Sequence, residues 1–215
     1  MEQRAANVKQ KRSYDASRRQ EKARRNLVRI IDVAERLFLG NGYRITTIAA
    51  IAAEAGVSAD TIYKSFGGKA GLVRAIRARA LEGEGTTPAE QRSDSLQARE
   101  PDPRKIIRAW AALSAELAPR AAPILLLIRD AAASDLEVRA LLEEMDADRL
   151  RRMTENARRL RDAGHLRAGI TLTRAADMLW TYSSPELYEL LVLRRGWSPE
   201  RYGRFIAEAM ISVLL

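Results

Sequence analysis

Apolar residues return at intervals of three and four along most of this chain, the spacing of one helical face. Leu27, Ile30, Ile31, Ala34, Leu37 and Phe38 predict a first helix, which Gly40-Asn41-Gly42 ends. A short second helix turns Ile48, Ile51, Ala52 and Ala55 inward, with Thr46 or Thr47 as its cap and Gly56 as the turn that follows. Ser58 caps a third, with Asp60 in its first turn, Ile62 and Phe66 underneath and Gly67-Gly68 at its close. A fourth covers 69–81, its inner side formed by Leu72, Val73, Ile76 and Ala80. Beyond residue 103, helical patterns cover 104–117, 123–133, 136–163, 173–181, 185–194 and 199–215. Pro119 and Pro123 are expected to interrupt, Gly164 and Gly169 to follow the long helix, and Pro185 and Pro199 to open helices.

Two stretches lack a stripe. Residues 1–25 carry nine Lys and Arg against three acids and predict a flexible basic arm. Residues 82–103 mix Gly, Thr, Pro, Ser and charges and predict a linker, with room for a short helix near Leu96. The expected architecture is all-α: a helix-turn-helix domain over 26–81 and a larger helical domain over 104–215.

Charge sharpens this division. The net charge of +9 is concentrated at one end: residues 1–81 hold seventeen Lys and Arg against seven Asp and Glu, and residues 82–215 hold twenty against twenty-one. A strongly basic segment on a neutral body is suited to a polyanion, although a solvated Arg-rich surface has the same composition. The absence of cysteine excludes disulfides, thiolate metal sites and a cysteine nucleophile. No apolar stretch looks close to the roughly 20 residues of a membrane span, and the amino-terminal tract is too polar for a signal peptide, so a cytoplasmic protein without a membrane partner is expected. The one histidine, His165, sits at a helix end as a cap, and no phosphate-cradling glycine motif or metal cluster is present in the sequence. No catalytic residue, metal or cofactor is therefore expected.

Two short helices joined through Gly56-Val57-Ser58 make a helix-turn-helix, a corner that also occurs for packing reasons alone. The ordered run Val33-Ala34-Glu35-Arg36-Leu37-Phe38, Asn41-Gly42-Tyr43, Thr46-Thr47-Ile48, Ile51-Ala52, Ala55-Gly56-Val57-Ser58, Thr61-Ile62-Tyr63, Phe66 and Lys69 resembles the DNA-binding domain of the TetR family. The resemblance implies a homodimeric transcriptional repressor that binds a near-palindromic operator in double-stranded DNA and is released by a small apolar or amphipathic effector. It implies that Thr47, Thr61, Tyr63 and Lys69 hold the phosphate backbone. Base reading falls to the exposed start of the third helix: Ser58, Ala59, Asp60, Tyr63 and Lys64. Lys64 has guanine or a phosphate open to it, and Asp60 a cytosine amine or simply its own helix start. The basic arm either follows the DNA or remains unattached.

In the carboxyl domain, Trp110, Leu113, Leu117, Leu126, Met145, Met153, Met178 and Trp180 are candidates for an effector cavity, with Arg129 or Asp130 as its polar group, though such residues are usually plain core. The resemblance also implies a four-helix dimer interface formed by Leu187, Leu190, Leu191 and Leu193 with Phe205, Ile206, Met210, Val213 and Leu214. The competing readings are a helical ligand- or partner-binding protein whose helix-turn-helix binds DNA weakly, and an activator of the same build.

Overall fold

The computed structural model describes residues 2–83 and 87–215, and residues 2–19 by their backbone alone. Among the described residues no strand occurs. The helices are α1 (Glu2–Asn41), α2 (Ile48–Ala55), α3 (Ala59–Phe66), α4 (Lys69–Glu82), α5 (Ala89–Gln97), α6 (Pro103–Ala132), α7 (Leu136–Asp162), α8 (Leu172–Tyr182), α9 (Pro185–Tyr188) and α10 (Pro199–Leu214); α9 runs on into a π-helical segment, Glu189–Arg194. The chain divides into two compact units, Met1–Ala75 and Ile76–Leu215, with the division inside α4.

In the first unit, α1 extends back to Glu2, through most of the stretch expected to be an arm. The side chains of residues 2–19 lie outside the described residues, as do Met1 and residues 84–86 of the expected linker. The helix needs no apolar stripe there, because Ala, Arg, Lys, Gln and Glu are strong helix formers and neither Gly nor Pro breaks the run. Glu21 adds pairs to Arg24 at 3.3 Å and Arg25 at 4.0 Å. Ile30, Ala34 and Phe38 are fully buried under α2 and α3, together with Ile51 and Ile62, whereas Leu27 is exposed. Of the two threonines before α2, Thr47 is the cap. Thr46 is buried, and its one hydroxyl proton is shared between the carbonyls of Leu37 (3.0 Å) and Gly42 (2.9 Å), tying the turn to the end of α1.

The second unit is organised around α6, which packs against α7 and α10. Neither Pro119 nor Pro123 interrupts it, a correction to the sequence expectation. Each proline costs about 3 kcal/mol relative to alanine inside a helix. What outweighs this is burial on both sides of them: Ile107, Trp110, Ala111 and Ala115 before, Ala121, Ala122, Ile124 and Ile128 after. Where α10 crosses α6 the residues are small, and a Cβ on Gly203 would lie 3.2 Å from that of Ala115. By length and composition α6 is also apolar enough to cross a membrane, which the sequence expectation missed. Its apolar residues supply much of this unit's core instead.

The expected linker contains α5, fastened to α7 by charge. Asp94 lies 2.7 Å from both Arg152 and Arg159, and Gln97 donates to Asn156 at 3.2 Å. A helix held by ion pairs shows no hydrophobic stripe, and the short helix for which the sequence left room near Leu96 is this one.

Candidate nucleic-acid interface and ligand cavity

The helix-turn-helix is built by the same side chains that were expected to contact DNA. Thr47 Oγ1 accepts the Ala50 N–H at 3.1 Å and starts α2; Ser58 Oγ accepts the Thr61 N–H at 3.1 Å and starts α3. The Ser58 and Thr61 hydroxyls are 2.9 Å apart. Between the helices Gly56 takes a left-handed conformation (φ +64°), and the N–H groups of Gly56 and Val57 bind the carbonyls of Ala53 and Ala52. On α3, Ile62 is fully buried while Tyr63, its neighbour, is 56% exposed. Ala59 is half-buried and Asp60 exposed. Asp60 and Lys64, one turn apart, form an ion pair at 2.7 Å.

Lys69 is differently placed from a free phosphate ligand. Its ammonium donates to the Tyr43 carbonyl at 2.6 Å and sits 4.2 Å from the centre of the Tyr43 ring, which itself stacks on Phe38. It therefore fixes the turn after α1 against the start of α4. Close by, a Cβ on Gly71 would fall on the Phe66 carbonyl group, 2.7 Å from its carbon, so glycine sets how closely α4 follows α3.

The second unit holds a partly open cavity of about 420 Å³. Of the residues expected there, Trp110, Leu113, Leu117, Met145 and Met153 line it; Leu126, Arg129, Asp130, Met178 and Trp180 do not. Leu126 is core, and Arg129 is engaged with Glu189 at 2.8 Å and Asp130 at 2.9 Å. Trp180 instead supports a wall residue that pattern reading passed over. The Arg149 guanidinium lies 4.1 Å from the Trp180 ring centre, donates to the Trp180 carbonyl and lies 3.3 Å from Asp146. Burial pulls Arg149 below the usual guanidinium range, against the opposing pull of Asp146. Burial also pushes the Tyr202 phenol, another lining group, up to about 12. Buried Asn156 and half-buried Ser114 add neutral polar groups. One signal was available: Met145, Arg149 and Met153 recur every four residues on α7, which places an arginine on the apolar stripe. Arg77, from the far half of α4, reaches the cavity wall and pairs with Asp148 at 3.2 Å.

The residues expected at a dimer interface separate into two groups. Leu190 and Phe205 are exposed, as is Leu193, and Leu187 and Leu191 are half-buried. Ile206 and Met210 have 0% and 3% exposure and belong to this unit's own core, so they offer no surface to a second copy. At i and i+4 on α10 they face inward with Tyr202 and Leu214; Phe205, one residue earlier, turns outward onto Trp197.

The described structure thus comprises a helix-turn-helix in one unit and a cavity in the other, both built from helices. Residues 30–76 match the family model "Bacterial regulatory proteins, tetR family". An uncharacterized HTH-type transcriptional regulator of Bacillus subtilis, YvkB, is 38% identical over 66 residues, a match spanning 31% of this chain and 35% of that protein. Among solved structures, NalD of Pseudomonas aeruginosa, the secondary repressor of the MexAB-OprM multidrug efflux pump, superposes with a TM-score of 0.70 at 20% identity, over 90% of this chain and 98% of its own. FadR of Bacillus subtilis in complex with stearoyl-CoA gives 0.67 at 19% identity, over 88% and 100%. Residues 30–76 thus match the tetR-family model, and the chain as a whole shares the all-α fold of these solved structures.

Proposed function

We propose that this chain is a cytoplasmic, ligand-responsive transcriptional repressor that binds a near-palindromic operator as a homodimer and is released by a small apolar or amphipathic effector. The observation that carries the reading is the outer face of α3, a doubly capped helix whose Ile62 is buried and whose Tyr63 stands exposed beside Lys64. An exposed tyrosine on a short polar helix offers a hydroxyl to phosphate and a ring edge to a base. Thr47, Ser58 and Thr61 flank it, while Lys69 acts by holding Tyr43. The cavity wall of Trp110, Leu113, Leu117, Met145 and Met153 suits an apolar ligand, with Arg149 and Asn156 as polar anchors in place of Arg129. Because Arg77 of α4 stands in that wall, a ligand has a direct purchase on the helix that begins beside α3. An effector favouring the released state by about 3 kcal/mol would weaken operator binding more than a hundredfold. Leu190, Leu193 and Phe205 are the apolar groups available for pairing two copies.

The test is footprinting of the DNA upstream of the protein's own gene at about 0.15 M salt, where non-specific binding is weak. A protected near-palindrome is expected, lost in Tyr63→Ala with the dimer intact by sedimentation. The absence of any protected site, or normal binding by Tyr63→Ala, would refute the docking of α3.

A further inference from the structure

A second cleft, of about 540 Å³, lies on the second unit away from the apolar cavity and is lined by Arg104, Arg108, Arg167 and Arg204. These four come from three places in the chain: the first turns of α6, the connection between α7 and α8, and α10. Arg104 and Arg108 are one turn apart on α6 and so share a face. Arg167 is held in place twice, its N–H on the Leu214 carbonyl at 2.8 Å and its guanidinium on the Ser212 carbonyl at 2.6 Å. One acidic side chain, Glu208, joins them on the cleft wall. Asp102, the nearest acid in sequence to Arg104, takes that residue's backbone N–H at 2.8 Å as a helix cap.

This clustering is unlike the rest of the unit. From residue 82 on, basic and acidic residues almost balance, and the arginines on α5 and α7 such as Arg92, Arg152 and Arg159 are committed to carboxylates. Four arginines on the wall of one cleft, against Glu208 and the carboxylate of Leu215 and with Glu200 near Arg204, leave a local surplus of positive charge. Guanidinium forks fit phosphoryl oxygens two at a time, which a single ammonium does not. The floor includes Ile211, 8% exposed, an apolar surface for a carbon skeleton.

We propose that this cleft binds a small organic phosphate carrying two or more phosphoryl charges, separately from the ligand of the apolar cavity. The phosphoryl groups lie among Arg104, Arg108, Arg167 and Arg204, and the organic part rests on Ile211. The probes are ADP and inorganic pyrophosphate, titrated calorimetrically into the full chain. ADP is expected to bind more tightly than pyrophosphate, at least tenfold more weakly to an Arg108→Ala/Arg204→Ala variant, and unchanged to Arg139→Ala, which removes an exposed arginine elsewhere on α7. All four positions are exposed, and circular dichroism checks that the variants fold. The proposal is overturned if ADP does not bind, if the double variant binds it normally, if Lys64→Ala in the helix-turn-helix weakens it equally, or if pyrophosphate binds as tightly as ADP.

Discussion

Replacing Gly71 with alanine adds one methyl group at the joint between α3 and α4. In an exposed helix interior that exchange stabilises by about 1 kcal/mol, since alanine surrenders less backbone freedom. Here the new carbon would stand 2.7 Å from the Phe66 carbonyl carbon, whereas carbon atoms rest at roughly 3.5 Å or more. A backbone carbonyl has no rotamer to turn aside, and its oxygen stands nearer still to the new carbon, so the joint between α3 and α4 must open by more than roughly 0.8 Å. Overpacking of that kind costs about 1–3 kcal/mol, which leaves a net loss of up to about 2 kcal/mol. Gly40 supplies the opposite sign on the same unit: it is helical and exposed, and a Cβ there meets nothing within 4 Å. Gly40→Ala is expected to gain a few tenths to about 1 kcal/mol. Urea unfolding followed by circular dichroism measures both, with unchanged slope as the sign that only stability moved. Gly71→Ala more stable than the parent protein by about 1 kcal/mol, as at an unstrained helical glycine, would refute the close approach of Phe66 to α4.

Two further expectations concern single polar contacts. Thr47→Ala removes the α2 cap and should lower stability by about 1 kcal/mol, readable as a fall in melting temperature, with Thr47→Ser restoring most of it. Hydrogen bonds from Arg152, then from Arg159, outweigh the opposing effect of burial and hold the Asp94 carboxyl below the usual carboxylate range. A depressed folded value means its contribution is present above about pH 4 and lost as pH falls through that folded value. Asp94→Asn should therefore be less stable than the parent at pH 7, with the gap closing toward pH 2 in a pH series of urea midpoints; a gap independent of pH would contradict the assignment.

The helix-turn-helix was legible because its determinants are local. Caps at Thr47 and Ser58, a left-handed Gly56 and the buried spacing of Ile48, Ile51 and Ile62 all act within one or two turns. Elements that depend on distant partners were less so, the short helix near Leu96 being only allowed for and its bounds unset. The helix at 89–97 is held by Arg152 and Arg159, more than fifty residues away, and the continuity of α6 through two prolines rests on what packs around it. The same division runs through the sites. Tyr63 could be placed on an outer face from its neighbour Ile62, but the partner of Lys69 lies twenty-six residues upstream at Tyr43. Ile206 and Met210 read as surface because a terminal amphipathic helix has one apolar stripe, and periodicity does not say whether that stripe meets its own chain or another.

The prolines of α6 have a bearing on the cavity. Pro119 and Pro123 have no N–H to offer the carbonyls of Ala115 and Pro119, so two rungs of the helix ladder are missing one turn apart. Leu117, Ala118, Ala121 and Ala122, from that same stretch, line the cavity. The wall is thus weakest along its backbone where it faces the cavity. Amide exchange across α6 should fall into two protected halves with a labile centre, and a cavity with such a wall adjusts its shape by bending one helix at a fixed place, without repacking the core on either side.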